Sequence, residues 1–242
     1  TAKQLKTKTV VLKRENLPPI STALTQIHFP PSLELAQTAR ARFAFEELFF
    51  LQLASLERKK QNRLLQSRIA FEIPETKIKE LIKKLPFELT GAQNKAIAEI
   101  LADYSSTKPM NRLLQGDVGS GKTLVGAVAA FVASYNGFRS LFMAPTEILA
   151  KQHYETLKQV FAGSTVSVGL VSGSEKIDTS ASVLVGTHAL LNLEFEKEKV
   201  GLVVIDEQHR FGVEQRNVLR SKGNFPHVLT LSATPIPRTL AL

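Results

Sequence analysis

The sequence contains no cysteine in its 242 residues. This absence excludes a disulfide framework, a thiolate metal site and a cysteine nucleophile within the chain. Long apolar runs are also missing, because none approaches the ~18 residues that a membrane-spanning helix needs. Internal repeats and low-complexity tracts are absent as well. We therefore expect a globular protein that acts in the cytoplasm and has no membrane partner.

The overall composition is ordinary for a folded protein. Apolar residues make up 43% of the chain and charged residues 22%, which is typical of globular domains. The length fits one large domain, or one domain with an appendage. The chain begins at Thr1 rather than at methionine, and its first residues do not resemble a secretory signal peptide. We therefore expect a fragment of a longer protein.

Positive charge is concentrated in the first third of the chain. The net charge is +9, with 16 Lys/Arg against 8 Asp/Glu in residues 1–85 and 15 against 14 in residues 86–242. The early basic residues include Lys3, Lys6, Lys8, Lys13, Arg14, Arg58-Lys59-Lys60 and Lys83-Lys84. This pattern fits solvated faces and a basic tail, or a surface that meets nucleic-acid phosphates. Charge alone does not separate these two interpretations.

The first 85 residues are predicted to form a helical segment. Residues 1–31 are expected to be irregular, because two proline pairs punctuate them and proline cannot continue a helix. A helix is predicted from Ser32 to Arg63. Its middle, Phe43–Leu56, is apolar almost all round, so we expect burial on more than one side. A second, short helix is predicted over Glu75–Leu85.

A domain boundary is predicted at Pro86. Beyond it, short apolar strands alternate with helices, which is typical of a parallel sheet covered on both faces. Helices are predicted over Gly91–Tyr104, Lys122–Tyr135 and Ile148–Phe161. Strands are predicted over Arg112–Gln115, Ser140–Ala144, Val166–Val171, Val183–Gly186, Leu202–Ile205 and His227–Leu231. We therefore predict an α/β domain with a mostly parallel central sheet over residues 86–242, preceded by the helical segment 1–85.

Residues 116–123 read Gly-Asp-Val-Gly-Ser-Gly-Lys-Thr and match the phosphate-binding pattern G-x-x-x-x-G-K-[ST] at every fixed position. An ordinary glycine-rich turn would be the structural alternative. In a phosphate-binding loop, backbone N–H groups point at a triphosphate, the lysine reaches the β- and γ-phosphates, and the hydroxyl ligates Mg²⁺. The pattern thus predicts ATP and Mg²⁺ as cofactors. The expected nucleotide contacts here are Gly116, Asp117, Val118, Gly119, Ser120, Gly121, Lys122 and Thr123.

Two carboxylates follow the apolar strand Leu202–Ile205. Nucleotide hydrolysis needs such a pair at the end of a buried strand. We expect Asp206 to help hold Mg²⁺, and Glu207 to orient and deprotonate the attacking water. A solvated acidic turn would be the structural alternative. Lys122 and Glu207 are the predicted catalytic residues.

Two further groups can complete this site. His209 is expected to link the nucleotide state to Ser232-Ala233-Thr234, since short hydroxyl side chains can form a hydrogen-bond relay. Upstream, the amide of Gln93 suits the edge of adenine, and the ring of Phe87 can stack on the base. A glutamine at the start of a helix is also unremarkable in itself.

The order of these motifs resembles that of superfamily 2 helicases. The matching stretches are Gln93, Gly116–Thr123, Ala144–Thr146, Gly186–His188, Asp206–His209 and Ser232–Thr234. Longer stretches, Leu114–Thr123, Met143–Ala150 and Asp206–Val213, are similar to the bacterial members that migrate branched DNA and reverse stalled replication forks. The transcription-repair coupling translocases are the alternative. They usually carry glutamate where this chain has Gln208, and tyrosine where it has Ser120.

The resemblance implies that residues 86–242 are the first RecA-like motor domain of an ATP-dependent DNA helicase. It implies a monomer whose partner is branched double-stranded DNA, such as replication forks and Holliday junctions. The implied DNA-backbone contacts are Pro145, Thr146, Thr187 and His188, although the threonines could simply cap strand ends. The implied coupling residues are Gln208, His209, Ser232, Ala233 and Thr234. A second RecA-like domain and a wedge domain are expected outside this chain, so the fragment alone should be weakly active or inactive.

One segment departs from the family pattern. The family usually has a helix between the strands near Ser172 and Val183, and residues 173–182 are too short for it. We expect a local reorganisation of the sheet there. A P-loop kinase or small-molecule ATPase, and a nucleotide-gated module without catalysis, are the competing functions.

Overall fold

The computed structural model describes residues 14–64, 70–106, 108–207, 217–219 and 221–233. The chain divides into two compact units near residue 63. Phe71, Ile78 and Leu81 already belong to the core of the second unit. The assignment of residues 1–85 to a linker and 86–242 to a motor stays a prediction. In the described ranges, no helix is both long and apolar enough to span a bilayer.

In the described residues of the first unit lie the helices α1 (Ile20–His28) and α2 (Leu33–Leu64). The expectation that residues 1–31 are irregular is wrong for Ile20–His28. The prolines flank this helix and do not interrupt it, since Pro19 is the N-cap residue and proline is tolerated at a helix start. Ala23 is fully buried on the inner face of α1.

Helix α2 confirms the predicted long helix, but its predicted burial is wrong. Leu48 and Leu56 are 62% and 61% exposed. Among the described residues of this unit, Arg42 is polar and buried, at 2% exposure. Its guanidinium lies 2.5 Å from the carboxylate of Glu46 and donates to the carbonyl of Pro18 at 3.1 Å. An arginine of the basic first third is therefore held inside the unit by an ion pair and a backbone contact.

The second unit is an α/β domain. Its helices are α3 (Glu75–Lys83), α4 (Gly91–Tyr104), α5 (Lys122–Tyr135) and α6 (Glu147–Val160). Its strands are β1 (Asn111–Gln115), β2 (Arg139–Met143), β3 (Val168–Val171), β4 (Lys176–Ile177), β5 (Val183–Gly186), β6 (Val200–Asp206) and β7 (His227–Ser232). Short 3-10 turns at His188–Asn192 and Lys197–Lys199 precede β6.

The seven strands form one sheet in the order β1-β7-β6-β2-β5-β3-β4. Every neighbouring pair is parallel except β3 with β4. The predicted α/β class and the mostly parallel sheet are confirmed. The predicted strand and helix bounds lie within two residues of those observed, because buried parallel strands are continuous apolar runs and are easy to recognise.

Alternating side chains of the central strands fill two cores. Phe142, Leu202 and Val204 pack on one face with helix α5, whereas Leu141, Val203 and Ile205 pack on the other. Gly126 lets α5 lie close to the sheet, because a Cβ there would stand 3.1 Å from the Phe142 ring. These layers fix the carboxyl ends of β1, β7, β6 and β2 at one edge of the sheet, where the predicted motifs lie.

Residues 173–182 are the short segment for which the sequence predicts a local reorganisation of the sheet. They contain β4, which pairs antiparallel with β3 through Leu170 and Ile177. Gly169 on β3 permits this approach, because a Cβ there would stand 2.1 Å from the carbonyl oxygen of Asp178. The segment then returns to β5, which lies on the other side of β3.

Candidate nucleotide site

The loop Gly116–Thr123 joins β1 to α5 at the carboxyl edge of the sheet. Two of its glycines require a left-handed backbone, with φ +82° at Gly119 and +80° at Gly121. Gly121 is also the N-cap residue of α5, which therefore has no side-chain cap. Uncapped N–H groups and the helix dipole make such an end suited to an anion. Val118 at the tip is 89% exposed, so the predicted phosphate loop is open to solvent.

Lys122 closes across this loop. Its Nζ donates to the carbonyl oxygens of Gly116 at 2.7 Å and Asp117 at 2.8 Å. The backbone N–H of Ser120 donates to the same Asp117 carbonyl at 3.1 Å. The ammonium group therefore lies at the centre of the loop that the sequence predicts to hold the phosphates.

Gln93 contacts the phosphate loop directly. Its Oε1 accepts from the N–H of Thr90 at 2.9 Å, and the hydroxyl of Thr90 accepts from the N–H of Gln93 at 3.2 Å, forming a capping box at the start of α4. Its Nε2 donates to the carbonyl of Ser120 at 2.9 Å. The amide thus spans the helix start and the loop, and the adenine contact of Gln93 stays a prediction. Phe87, the predicted stacking residue, is 54% exposed.

The predicted acidic pair lies at the same edge. Asp206 ends β6 and is 8% exposed. Glu207 has a left-handed backbone, with φ +49°, and its N–H donates to the carbonyl of Leu231 at 3.0 Å. Its carboxylate accepts from the N–H of Ala233 at 3.2 Å. A non-glycine residue in this region costs about 1–3 kcal/mol and often marks a functional position.

The ends of β1 and β7 meet next to this pair. The N–H of Gly116 donates to the carbonyl of Ser232 at 3.2 Å, and Ser232 is 8% exposed. The phosphate loop and the predicted relay segment are therefore in direct backbone contact. The predicted coupling residues Gln208, His209 and Thr234 lie outside the described residues. Within the described part, the link from the acidic pair to this segment runs through Glu207 and Ala233.

Sequence reasoning missed one member of the site, His153 on helix α6. Its Nε2 lies 2.7 Å from Oδ2 of Asp206, and its Nδ1 lies 3.4 Å from Oγ1 of Thr123. One imidazole ring thus touches both predicted Mg²⁺ ligands. The available signal was spacing: His153 lies on the face of α6 that buries Ala150 and Leu157, and a buried ring needs polar partners.

The predicted DNA contacts lie where β2 and β5 end. Thr146 is exposed and accepts at 3.2 Å from the N–H of Leu149, so it caps α6. Thr187 is 2% exposed and accepts at 3.4 Å from the N–H of Ala189. Capping is therefore one role of both threonines, and their DNA contacts stay predictions. His188 is exposed and Pro145 is half-buried.

The segment 173–182 contacts helix α6 beside Thr146. The carboxylate of Glu147 accepts from the hydroxyl of Ser174 at 2.8 Å. That hydrogen bond and those from the backbone N–H groups of Gly173 and Ser174 hold the pKa of Glu147 below its usual range. Lys151 and Glu175 form an ion pair at 2.8 Å. A hydrogen bond and an ion pair therefore connect the first two turns of α6 to this segment.

Comparison with known proteins places the chain in a family. A family model described as DEAD/DEAH box helicase matches residues 90–242. This match covers more than half of the chain, so the chain belongs to the DEAD/DEAH box helicase family. A DEAD box protein from Methanococcus jannaschii has the same fold, with a TM-score of 0.56 and 22% identity over 67% of this chain and 49% of that one. The RecA-like helicase fold that the motifs predict is therefore confirmed.

The individual relatives are more specific. The chain is 46% identical to the ATP-dependent DNA helicase RecG of Synechocystis sp. (strain ATCC 27184 / PCC 6803 / Kazusa), over 92% of this chain and 28% of that protein. It is 45% identical to RecG of Bacillus subtilis (strain 168), over 95% of this chain and 35% of that protein. A structure of RecG bound to a three-way DNA junction matches with a TM-score of 0.78 and 41% identity, over 96% of this chain and 32% of that chain. The chain thus spans about a third of the length of these relatives, and the predicted resemblance is confirmed at the level of RecG-type DNA helicases.

Proposed function

We propose that this chain is the ATP-binding half of a RecG-type DNA motor, which couples ATP hydrolysis to translocation on double-stranded DNA. The whole protein would migrate branched DNA and reverse replication forks. One observation carries the proposal. Lys122 in its loop, the hydroxyl of Thr123 and the carboxylates of Asp206 and Glu207 lie at one edge of the sheet, where parallel α/β folds bind their ligands.

The residues fit Mg²⁺ bound with ATP. A hydroxyl and a carboxylate, Thr123 and Asp206, both touch the ring of His153, and hard oxygen ligands of this kind suit Mg²⁺. Among the described residues, no group of three His, Cys, Asp or Glu side chains could hold a metal alone. This fits an ion that takes its remaining ligands from phosphates and water. When bound, the ion would neutralise charge on the phosphates.

The chain's own groups then have separate roles. Lys122 would leave the carbonyl oxygens of its loop and bind the β- and γ-phosphates. Glu207 would orient the attacking water and take its proton, since its carboxylate is fixed by Ala233 at the end of β7. The amide of Gln93 would help to hold the loop in its binding conformation through its hydrogen bond to Ser120. ATP and Mg²⁺ are the cofactors in this proposal.

DNA would be bound on the same edge of the sheet. The RecG structure bound to a three-way DNA junction supports branched double-stranded DNA as the partner class, including forks and Holliday junctions. Pro145, Thr146, Thr187 and His188 would meet the phosphate backbone, so they would position the motor without reading sequence. We propose that the motor acts as a monomer in the cytoplasm.

A second motor domain would complete the catalytic site. Arginine fingers in comparable phosphoryl-transfer enzymes contribute about 10³–10⁵ in rate, and the proposed function assigns them to a partner domain outside residues 1–242. We therefore expect this chain alone to bind ATP but to hydrolyse it slowly. The whole gene product should hydrolyse ATP in a manner that depends on branched DNA.

The test measures binding and turnover separately. Binding of a fluorescent ATP analogue to this chain is compared between wild type and Lys122→Ala. We expect the variant to lose binding. ATP turnover by the whole gene product is then compared without DNA, with linear duplex and with forked duplex, and forked DNA should stimulate it most. Turnover that ignores DNA would favour a metabolic ATPase. Nucleotide binding without any turnover would favour a gated module.

A further inference from the structure

Three elements that are far apart in sequence meet at His153. The residue is 7% exposed and lies on α6, whereas Thr123 lies in the first turn of α5 and Asp206 ends β6. The imidazole lies between the two side chains, with Nε2 at 2.7 Å from Asp206 Oδ2 and Nδ1 at 3.4 Å from Thr123 Oγ1. None of the predicted roles in phosphate binding, hydrolysis or DNA contact uses this ring.

The neutral form of the ring can make both hydrogen bonds at once. An ionised carboxylate only accepts, so Nε2 of His153 donates to Asp206. In the neutral ring Nδ1 then accepts, and the hydroxyl of Thr123 is its donor. The threonine oxygen would consequently keep its lone pairs for a cation while its proton points away. The contact with His153 uses Oδ2 of Asp206, so Oδ1 would be available to the same cation.

Packing holds the ring in this position. The Phe142 ring lies against it, with centroids 5.3 Å apart, and Phe142 in turn packs against α5 at Gly126. A ring held by packing loses little rotamer freedom when it makes its hydrogen bonds. The position of the imidazole is therefore fixed by the core on the side of Phe142.

We propose that His153 is a positioning residue of the magnesium–nucleotide site: it holds the hydroxyl of Thr123 and the carboxylate of Asp206 in the relative orientation that binds the ion. The inference rests on the proposed function, because it assumes that the site binds magnesium with a nucleotide. His153 itself does not touch the nucleotide. It acts on the two ligands as an outer-shell partner does in other metal sites.

The test is the magnesium dependence of nucleotide binding by this chain. Affinity for a fluorescent ADP analogue is measured in EDTA and across a Mg²⁺ titration, for wild type, His153→Ala and His153→Gln. Loss of an outer-shell partner lowers metal affinity by about 10–100-fold, so the Mg²⁺ concentration at half-effect should rise by that factor in His153→Ala. Affinity in EDTA should stay unchanged. His153→Gln should recover part of the loss, because its amide N–H can still donate to Asp206.

Gln152→Ala is the matched control, since Gln152 is the exposed neighbour of His153 on α6. Its Mg²⁺ titration should equal that of wild type. Thermal unfolding followed by circular dichroism shows which variants are folded. If His153→Ala does not fold, the comparison is made with His153→Gln. The inference is overturned, while the proposed function stands, if a His153 variant loses nucleotide affinity equally with and without Mg²⁺. It is also overturned if the Mg²⁺ concentration that gives half of the effect on affinity is the same as in wild type. Wild type that binds no nucleotide overturns both.

Discussion

The carboxylate of Glu207 is bound by the backbone N–H of Ala233, at 3.2 Å. The same glutamate has a left-handed backbone and donates its N–H to Leu231. The residue proposed to activate water is therefore held by the strand end that also contacts the phosphate loop, through Ser232 and Gly116. Two backbone hydrogen bonds, Glu207 to Leu231 and Gly116 to Ser232, therefore connect the conformation of the phosphate loop to that of Glu207.

Glu207→Gln should separate catalysis from binding. The amide oxygen can still accept from Ala233, so the local structure is kept, but the base is lost. Removal of a general base lowers turnover by about 10²–10⁴-fold, while affinity for ATP should not change. ATPase assays of the whole gene product and nucleotide titrations of this chain measure the two effects. Wild-type turnover in this variant would remove Glu207 from the proposed role.

Gly121→Ala should weaken nucleotide binding through Gln93. The position has φ +80°, and a Cβ there would stand 2.3 Å from Nε2 of Gln93, so the contact of Gln93 with Ser120 must break. Gly137→Ala is the control, because Gly137 also has φ +80° but nothing lies within 4 Å of its added Cβ. Both variants should lose about 1–2 kcal/mol of stability from backbone strain.

Only Gly121→Ala should also raise the dissociation constant for ATP. Chemical denaturation and nucleotide titration of the two variants make the comparison. Equal loss of ATP affinity in both would mean that strain, and not the displaced glutamine, causes the effect.

Arg42→Ala should destabilise the first unit. The guanidinium is buried beside Glu46 and the Pro18 carbonyl, and removal of one partner from a buried ion pair costs about 3–5 kcal/mol. Arg40→Ala, at an exposed position of the same helix, should stay within about 0.5 kcal/mol of wild type. Hydrogen exchange of the α1 backbone amides measures the stability of the first unit separately from that of the second, and it should be faster in Arg42→Ala than in Arg40→Ala. Equal exchange in the two variants would contradict the prediction.

Thr146→Asp should distinguish helix capping from DNA contact. Aspartate is a good N-cap residue, so the helix start is kept, whereas alanine at this position costs about 1 kcal/mol. The added negative charge should repel a DNA phosphate and lower affinity for a forked duplex. Fluorescence anisotropy measures DNA binding, and denaturation measures stability. If Thr146→Asp binds DNA like wild type, Thr146 is a cap and not a contact.

The contact of Glu147 with Gly173 and Ser174 should depend on pH. The hydroxyl and backbone donors lower the pKa of this carboxyl, so the contact contributes fully above the unfolded pKa of about 4.3. It is lost as the pH falls through the lower, folded pKa. Exchange of the Gly173 and Ser174 amides, corrected for intrinsic rates, should accelerate in that acidic window. Glu147→Gln should abolish this pH dependence.

Local patterns predicted the second unit well because its strands and motifs are continuous in sequence. The apolar run Leu202–Ile205 and the loop Gly116–Thr123 each need only neighbouring residues to be recognised. The spacing along α6 indicates that His153 faces the interior, but it does not indicate its partners, which come from two other elements. The burial predicted for Phe43–Leu56 was wrong for a related reason. Apolar composition shows which surface can be buried, but a neighbouring element must be present to bury it.

The antiparallel pairing of β4 with β3 changes the character of one end of the sheet. A strand at a sheet margin offers unpaired backbone groups to any other chain, which invites edge-to-edge association. Here that margin is only two residues long and bears the exposed Lys176, both of which discourage such association. A side chain at Gly169 would push β4 away and leave the longer, apolar β3 as the terminal strand. The short β4 with its lysine is therefore less open to edge-to-edge pairing than β3 would be in the same place.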